Sequence, residues 1–563
     1  MSSTAVAETA PLTRPDHEVV IIGAGFGGIA TGVALKQAGV EDFVIFDKHS
    51  GIGGTWWANR YPGIAVDIPA VYYSLSYMPF RTSTRVFPPG HEVQEYTEQI
   101  VDEYGLRPHI TLNTRVSGAI WDERTHLWTV RFDDRTVTCR FLCPALGYLE
   151  VPKLPDIPGI DRFAGKAVHT ADWDHDFDYA GKRIGVIGTG ATALQLIPEL
   201  ADIAEHLTVF QRTPIWLAPK PDFRVDWGLD QFLQRNDRTR KVVRGAVAAG
   251  IDLGLVGLAL SMRRLPRVAP ALTAGARGAY RMWLRDKELY DKLAPTYAPG
   301  CKRPSLSSRY MKTFKNRDRT SLITEGIERV TEKGVVTADG VEHPIDVLVC
   351  ATGFRVCERG FSPAFEMIGA EGKELGDYWH ETRYHAYQGV TVPGWPNMFM
   401  VACGPNSVIL GSILTTVENT AAKARRLIVE ARRRGATRVD VTPEAYREYA
   451  DKCLEKMEGS LWVTAPCAGS NTYYVNYQGD LAVRPSTNIG QWLGTRHFPW
   501  RAYQFGKLAP GPQPAAPVKK AVAKKTAAKK PAAVKAPAKK TAAKPPAAQQ
   551  IPAQPLAADN PTQ

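Results

Sequence analysis

Gly23-Ala24-Gly25-Phe26-Gly27-Gly28 stands between a short apolar run, Glu18 to Ile22, and a segment of helical pattern that ends at Lys36. A second apolar run, Phe43 to Phe46, follows and ends beside Asp47. Glycines in such a turn let the backbone bend tightly and approach a pyrophosphate, and an acid after the second strand accepts hydrogen bonds from ribose hydroxyls. The pattern predicts a β–α–β dinucleotide-binding unit. The residues expected to bind its nucleotide are Gly23, Gly25, Gly28 and Asp47.

The same pattern occurs a second time. Arg183 to Ile187 ends in Gly188-Thr189-Gly190-Ala191-Thr192-Ala193, and a helical segment and the run Leu207 to Phe210 follow. Arg212 stands as far beyond Gly188 as Asp47 stands beyond Gly23, so a cation replaces the acid. A guanidinium suits the 2′-phosphate of NADPH, whereas an acid suits a free 2′-hydroxyl. We therefore predict NADPH in the second unit; the alternative for Arg212 is a solvated surface charge.

The C-terminal tail carries most of the excess positive charge. The chain has 563 residues and a net charge of +13, but ten lysines and a single acid, Asp559, lie between Gly511 and Gln563. This Ala/Lys/Pro-rich tail has almost no large apolar groups, so it is predicted to be disordered. Weak, salt-dependent contact of the tail with nucleic acid or an anionic membrane is one expectation.

The cysteines form no Cys-x-x-Cys pair and no Cys/His cluster with zinc spacing. They are Cys139, Cys143, Cys301, Cys350, Cys357, Cys403, Cys453 and Cys467. We expect them to be reduced, the protein to be cytoplasmic and no metal to bind.

Met1 to His17 lacks the apolar core of a secretory signal. Gly245 to Met262 is apolar except for Asp252 and Ser261; a buried or pocket-lining helix is predicted, and contact with a membrane surface is the alternative.

The segment from Gly53 to Asp67 contains the spacing G-G-T-W-x-x-x-x-Y-P-G-x-x-x-D. This spacing resembles the flavin-proximal segment of the class B flavoprotein monooxygenases. The resemblance implies FAD in the first unit, with Asp67 beside the reactive edge of the flavin. It also implies that further residues bind the two cofactors, namely Thr55, Trp56, Tyr73, Val116, Gln195 and Thr213.

Phe163 to Asp174 fits F-x-G-x-x-x-H-x-x-x-W-[PD] in full. This fingerprint resembles that of the Baeyer–Villiger monooxygenases and distinguishes them from flavin monooxygenases that oxidise nitrogen or sulfur, which lack the Trp. The resemblance gives the segment a conformational role at the junction of two domains. The residues concerned are Phe163, Gly165, His169 and Trp173. Without the family, a histidine between aromatic residues is most often a packed structural one.

Gly300-Cys301-Lys302-Arg303-Pro304 resembles the Lys-Arg segment of the same family. The resemblance implies that Arg303 approaches the flavin and the nicotinamide, that Lys302 helps to hold the 2′-phosphate and that Asp67 positions Arg303. A surface Lys-Arg pair is the alternative that the residues alone favour.

The predicted reaction uses NADPH and O2 to insert one oxygen atom beside a ketone carbonyl, through a C4a-peroxyflavin, and gives an ester or lactone. Three rival functions are open. They are oxygenation of sulfur, as in a thioether, or of nitrogen; a pyridine-nucleotide disulfide reductase, which the missing Cys pair disfavours; and a nucleic-acid-binding protein, which only the lysine tail suggests.

We predict an α/β fold with two Rossmann-like dinucleotide-binding domains, a helical insertion and a disordered tail. The strand Ile345 to Val349, which runs into Ala351-Thr352-Gly353, is expected to lead the chain back to the first domain. The predicted bounds are 1–150 for the first part of the FAD domain, 151–345 for the NADPH domain with its helical insertion at 222–295, 346–508 for the second part of the FAD domain with the substrate pocket, and 509–563 for the tail.

A chain truncated after Ala509 is expected to retain its flavin and its turnover, because the tail has no residues that build a core. Flavin absorbance and NADPH oxidation of the purified truncated protein would measure this. Loss of flavin or activity in the truncated chain would contradict the expectation.

Overall fold

The structure is a computed structural model that describes residues 14–225, 236–251, 254, 267–303, 305–361, 363–407, 411–463, 467, 472 and 474–508. Three predictions therefore lie wholly or partly outside the described residues. They concern the lysine tail, the first residues of the chain and most of the apolar stretch 245–262. Within the described residues, no helix is long and apolar enough to cross a membrane.

The strands form two large sheets and three small ones. In chain order they are β1 (His17–Ile22), β2 (Phe43–Phe46), β3 (Ile110–Thr111), β4 (Gly118–Asp122), β5 (Leu127–Arg131), β6 (Thr136–Pro144), β7 (Lys166–His169), β8 (Arg183–Ile187), β9 (His206–Phe210), β10 (Leu217–Ala218), β11 (Ser305–Leu306), β12 (Thr320–Ile323), β13 (Ile327–Val330), β14 (Gly334–Thr337), β15 (Glu342–Pro344), β16 (Val347–Cys350), β17 (Glu366–Ile368), β18 (Arg438–Val441) and β19 (Tyr503–Gly506).

Twelve α-helices are described, and three of them lie in the predicted insertion. The described helices are α1 (Phe26–Lys36), α2 (Thr55–Ala58), α3 (Gly90–Glu103), α4 (Ala191–Ile203), α5 (Asp237–Ile251), α6 (Val268–Leu284), α7 (Lys287–Leu293), α8 (Tyr310–Thr313), α9 (Leu375–Glu381), α10 (Ile413–Arg434), α11 (Pro443–Glu458) and α12 (Asn488–Arg496).

The first sheet has the order β17-β4-β5-β6-β1-β2-β3 and is built around β1. β1 pairs in parallel with both β2 and β6, and its residues Val19 to Ile21 are fully buried. α1 follows directly and packs between this sheet and α10. Most of its residues are therefore buried, and Ile29 and Val33 are fully so. The predicted first β–α–β unit is therefore confirmed, with β2 at the predicted residues.

A later segment completes the first domain. The backbone N–H of Phe399 donates to the carbonyl of Leu142 at 2.9 Å, and the N–H of Leu142 donates to the carbonyl of Asn397 at 2.9 Å. The side chain of Asn397 also bonds both Thr437 and Val439, which ties β18 to the same edge. The chain that leaves the second domain thus returns to lie beside β6.

The second sheet has the order β12-β9-β8-β16-β7, and all its pairs are parallel. Parallel strands that are buried on both faces have continuous apolar sequences, and β8, β9 and β16 show this pattern. The predicted second β–α–β unit is confirmed by β8, α4 and β9. β16 belongs to this second sheet, so the return to the first domain begins after Cys350.

Helices occupy the described part of the predicted insertion. α5, α6 and α7 fall within 222–295, although residues 226–235, 252–253 and 255–266 lie outside the described residues. Arg244 on α5 lies 3.7 Å from Glu418 on α10 and donates to Ser74 Oγ at 3.0 Å. These contacts connect the insertion to the first domain.

The prediction that every cysteine is reduced is wrong for one pair. Cys301 and Cys467 form a disulfide, with their Cα atoms 5.3 Å apart. The two residues are separated by 166 positions, so no local spacing in the sequence indicates that they meet. The other six cysteines are unpaired.

Gly165→Ala is expected to destabilise the fold. A Cβ at this position would lie 2.3 Å from the carbonyl oxygen of Asp346 and 2.7 Å from the ring of Phe163. Because a backbone carbonyl cannot easily move, the free energy of unfolding should fall by about 1–3 kcal/mol. Urea unfolding would measure it. Gly278→Ala, on α6 with no atom within 4 Å of its added Cβ, is the matched control and should be neutral or stabilising.

Candidate functional site

One large cavity of about 1880 Å³ lies between the two glycine turns. Residues from the first turn, including Gly23 and Gly25, line one part of it, and Gly188 and Gly190 line another. The cavity is much larger than a single small-molecule site, which usually measures ~300–1,000 Å³. It has room for two long ligands that meet.

The first glycine turn is closely packed. Gly23 has a φ of +108°, and a Cβ there would lie 2.6 Å from the carbonyl oxygen of Ala145. A Cβ on Gly28 would lie 1.8 Å from the carbonyl of Gly23, so the helix and turn meet through glycine alone. Gly28 itself does not line the cavity; its part is the close packing of α1 that holds the turn.

Asp47 is buried and ionised at the end of β2. Its Oδ2 accepts from the N–H of Ala24 at 2.6 Å, and its Oδ1 accepts from the N–H of His49 at 2.8 Å. Burial acts to raise the pKa of Asp47, but the hydrogen bonds from His49 and Ala24 outweigh it, so the pKa is lowered. The carboxylate remains an acceptor at the cavity wall, as a ribose-binding acid requires.

The flavin-proximal motif forms the floor of the first site. Gly54, with a φ of +57°, starts the single turn of α2, and Thr55 and Trp56 line the cavity from it. The indole N–H of Trp56 donates to the hydroxyl of Tyr73 at 3.0 Å. Burial raises the pKa of Tyr73, so its hydroxyl stays protonated. Val116 lines the cavity from the other side.

The second glycine turn repeats the geometry of the first. Gly188 has a φ of +113°, and a Cβ there would lie 2.4 Å from the carbonyl oxygen of Ala351. Gly190 faces open space, with no atom within 4 Å of its potential Cβ, and α4 begins at the next residue. A helix N-terminus beside an open glycine is suited to a phosphate. Ala193 is fully buried in α4 and does not line the cavity.

Two cations converge beside the second turn. Burial and the neighbouring charge of Arg212 both lower the pKa of Lys302. The Nζ of Lys302 lies 5.6 Å from the ring centroid of Tyr297, and Thr189 Oγ1 donates to the carbonyl of Thr213 at 2.9 Å. No ion pair with an acid is seen for Arg212 or Lys302 among the described residues. Like charges held together in this way are suited to an anion such as a 2′-phosphate.

An ion pair between Asp67 and Arg303 lies in the wall between the two turns. The Nη2 of Arg303 lies 2.5 Å from the Oδ1 of Asp67, and the two side chains are 43% and 22% exposed. Both residues line the cavity. Arg303 stands just before β11, which pairs with β10, so a short parallel ladder sets its position. The residues that the Lys-Arg resemblance names are therefore brought together.

Gln195 contacts the flavin-proximal loop through its side-chain amide. Its Nε2 donates to the carbonyl of Ala65 at 2.8 Å, and its Oε1 accepts from the hydroxyl of Tyr61 at 3.0 Å. A Cβ at Gly63 would lie 2.7 Å from the carbonyl of Gln195. Gln195 lines the cavity, but its amide joins α4 to the loop that carries Asp67, a contact that sequence spacing did not predict.

The fingerprint segment lies away from the cavity wall. His169 ends β7 beside Cys350 of β16, its Nδ1 accepts from the N–H of Ala171 at 3.1 Å, and burial lowers its pKa. Trp173 stacks on Tyr179 with ring centroids 4.5 Å apart. Phe163 packs on Gly165, as described above. A packed, uncharged histidine next to the strand that leads out of the second domain agrees with a conformational role, which remains a prediction.

Sequence reasoning missed several cavity residues, because they come from distant parts of the chain. The additional lining residues include Tyr61, Tyr148, Arg355, Ile413, Thr472 and Tyr474. Tyr61 belongs to the motif from Gly53 to Asp67, and Thr472 and Tyr474 lie in a segment that loosely resembles a C-terminal pattern of the family. Tyr148, Arg355 and Ile413 stand in segments without a spacing signal. Within the described residues, no group of three or more His, Cys, Asp or Glu side chains could hold a metal ion.

The two glycine turns, the acid of one and the cations of the other define a flavoprotein oxidoreductase that uses a second dinucleotide. A family profile described as pyridine nucleotide-disulphide oxidoreductase matches residues 20–242. The chain is 34% identical, over 87% of its length and 93% of the relative's, to a Baeyer–Villiger monooxygenase of Streptomyces coelicolor. A Baeyer–Villiger monooxygenase of Pseudomonas aeruginosa is 33% identical, over 81% of this chain and 85% of that one.

Solved structures agree with these relatives. Cyclohexanone monooxygenase from Rhodococcus sp. Phi1, bound to NADP+, superposes with a TM-score of 0.76 at 29% identity, covering 87% of this chain and 99% of that one. OTEMO in complex with FAD and NADP gives a TM-score of 0.75 at 26% identity, covering 88% and 100%. The chain belongs to the Baeyer–Villiger monooxygenase family. This confirms the predicted fold class and the predicted enzyme class, an NADPH-dependent flavoprotein monooxygenase.

The affinity for NADPH is expected to fall at high pH, because the predicted 2′-phosphate site of Arg212 and Lys302 loses charge there. The pKa of Lys302 is lowered from 10.5, so Lys302 is charged below that lowered pKa and loses its proton as the pH rises through it. KM for NADPH should then rise, while KM for NADH should not follow. Steady-state kinetics across the alkaline range would measure both constants.

Lys302→Arg is the matched control, since a guanidinium stays charged over the whole range. Its KM for NADPH should be independent of pH. Arg212→Ala should reduce the preference for NADPH over NADH by about 1.5–3 kcal/mol. An unchanged ratio of kcat/KM for the two nucleotides in Arg212→Ala would show that this residue does not bind the phosphate.

Proposed function

We propose that the chain binds FAD at the first glycine turn and NADPH at the second, and inserts one oxygen atom of O2 beside the carbonyl of a ketone. One ketone, one O2, one NADPH and one proton give one ester or lactone, one NADP+ and one water. The ion pair of Asp67 and Arg303, in the wall between the two turns, is the observation that supports this assignment most directly.

The residues of the first turn fit FAD. Gly23 and Gly25 line the cavity, where their backbone can approach the pyrophosphate, and the ionised Asp47 accepts from the ribose. Thr55, Trp56, Tyr73 and Val116 surround the space further along the cavity, where a planar ring fits between aromatic and apolar side chains.

The residues of the second turn fit NADPH. The N-terminus of α4, from Ala191, and the backbone of Thr189 and Gly190 face the pyrophosphate. Arg212 and Lys302 hold the 2′-phosphate, and Thr213 is fixed beside them by its bond from Thr189. When bound beside these residues, FAD would supply hydride acceptance from NADPH and activation of O2 for transfer to the ketone.

Arg303 supplies a fixed positive charge at the point where the two sites meet. Negative charge develops on the ketone oxygen when its carbonyl carbon is attacked, and a preorganised cation stabilises that charge. The guanidinium is always protonated, so it needs no proton transfer to do this. Asp67 holds Nη2 in place and reduces the local charge, which makes it a positioning residue for Arg303.

The substrate end of the cavity is mainly apolar. Ile413 and Val417 of α10 line it together with Phe365 and Tyr474. A neutral ketone with apolar groups on both sides of the carbonyl suits such a wall. A cytoplasmic location, and weak contact of the lysine tail with an anionic surface, are part of this proposal.

Arg303→Ala is expected to separate flavin reduction from oxygenation. The variant should fold, bind FAD and accept electrons from NADPH at least slowly, because these steps do not need the fixed charge at the ketone. Oxygenation should fall by about 10²–10³-fold, since one electrostatic contact to a developing anion is lost. Oxygen should instead leave as hydrogen peroxide. Stopped-flow absorbance and product analysis would measure the two steps.

Arg309→Ala is the matched control, because Arg309 is a half-exposed arginine that pairs with Glu199 and Asp202 and does not line the cavity. It should oxygenate at the normal rate. Asp67→Ala should weaken oxygenation less than Arg303→Ala does. Normal ester formation by Arg303→Ala would remove Arg303 from the catalytic site.

A further inference from the structure

The segment that carries Lys302 and Arg303 is tethered immediately before these residues. Cys301 is fully buried and bonded to Cys467, which is 5% exposed. The carbonyl of the preceding Gly300 accepts from the indole N–H of Trp462 at 3.0 Å. Two contacts with the C-terminal part of the chain therefore act on two neighbouring residues, one and two positions before Lys302.

The same segment has little room to shift. Gly300 has a φ of +95°, and a Cβ there would lie 3.2 Å from a methyl carbon of Leu461. Tyr297, just upstream, donates from its hydroxyl to the carbonyl of Pro214 at 2.8 Å, and its own carbonyl accepts from Trp216 at 2.8 Å. The backbone entering the Lys-Arg pair is thus fixed on several sides.

The other half of the disulfide belongs to the part of the chain that forms the cavity wall. Thr472 and Tyr474, which follow Cys467 in the sequence, line the cavity together with Arg303. The ring of Trp462 packs edge-on against Tyr474 at 5.7 Å. One covalent bond therefore connects the backbone of the proposed catalytic arginine with the residues beside the substrate end of the cavity.

We propose that the Cys301–Cys467 disulfide positions Arg303 relative to this wall, so that the guanidinium and the bound ketone keep one fixed distance. The proposal rests on the proposed role of Arg303. Cys301 and Cys467 are positioning residues, because they touch neither cofactor nor substrate and act through Arg303. The bond stays intact during turnover, so no redox step is involved.

If the disulfide only stabilised the fold, its removal would lower the free energy of unfolding without changing the amount of ester formed per NADPH. Closing a loop of this length stabilises a fold by restricting the unfolded chain. Positioning has a different signature, since a small misplacement of a catalytic group lowers the rate of the step that it serves. The discriminating quantity is ester formed per NADPH consumed, together with hydrogen peroxide released.

Thiol counting on the full chain tests whether the bond is present. In denaturant, the protein should show six reactive thiols before reduction and eight after it. Eight thiols before reduction would overturn the proposal, whatever Arg303 does. This measurement does not depend on oxygenation, so its result can contradict the proposed role of the disulfide without contradicting the proposed function.

The variant Cys301→Ala with Cys467→Ala tests positioning. It should bind FAD and be reduced by NADPH at a rate close to that of the unsubstituted protein, while ester per NADPH falls by about tenfold and peroxide rises. Cys453→Ala is the matched control, an unpaired and half-buried cysteine on α11, and it should leave the ratio unchanged. An unchanged ratio in the double variant, or an equal loss in Cys453→Ala, would overturn the proposal.

Two further variants test the proposal if the double variant folds poorly. Trp462→Phe keeps the disulfide but loses the bond to the Gly300 carbonyl, and it should lower ester per NADPH to an intermediate extent. In an Arg303→Ala background, removing the two cysteines should have no additional effect on that ratio. Additive losses would show that the disulfide acts elsewhere.

Discussion

The ion pair between Asp67 and Arg303 joins two segments that are 236 residues apart in the sequence. Asp67 ends the flavin-proximal motif, and Arg303 follows the tethered turn at Gly300. The pair therefore brings a segment of the first dinucleotide unit into direct contact with a segment that follows the helical insertion of the second. Gln195 reinforces this arrangement, because its amide holds Ala65 two residues before Asp67.

The two glycine turns reach the same geometry with opposite charges. In both, the first glycine has a positive φ and meets the carbonyl of an alanine on a neighbouring strand or loop, Ala145 in one and Ala351 in the other. The charge differs at the end of the next strand, where Asp47 follows β2 and Arg212 follows β9. In the proposed function, backbone packing at the turns allows a dinucleotide to bind, and the side chains beyond the next strand distinguish FAD from NADPH.

The sequence predicts the parts that local rules control. β1, α1 and β2, and again β8, α4 and β9, follow from glycine spacing and apolar runs. The contact between Asp67 and Arg303 was expected only from the resemblance to the monooxygenase family, since no sequence periodicity connects residues so far apart. The Cys301–Cys467 bond and the amide contacts of Gln195 were not found, because both depend on tertiary packing. The substrate pocket was predicted only as a region, 346–508, because the motifs there resemble the family too loosely to identify a substrate.

The wall at the substrate end is built separately from the nucleotide turns. Tyr474 and Ile413 come from chain segments that follow both turns, and neither packs against a glycine that a cofactor needs. If this wall contacts the ketone as proposed, substitutions at these positions should change its shape and polarity without altering the backbone of either glycine turn. The wall and the turns are thus separate parts of the chain, so side chains late in the sequence can be exchanged independently of the glycines that shape the two turns.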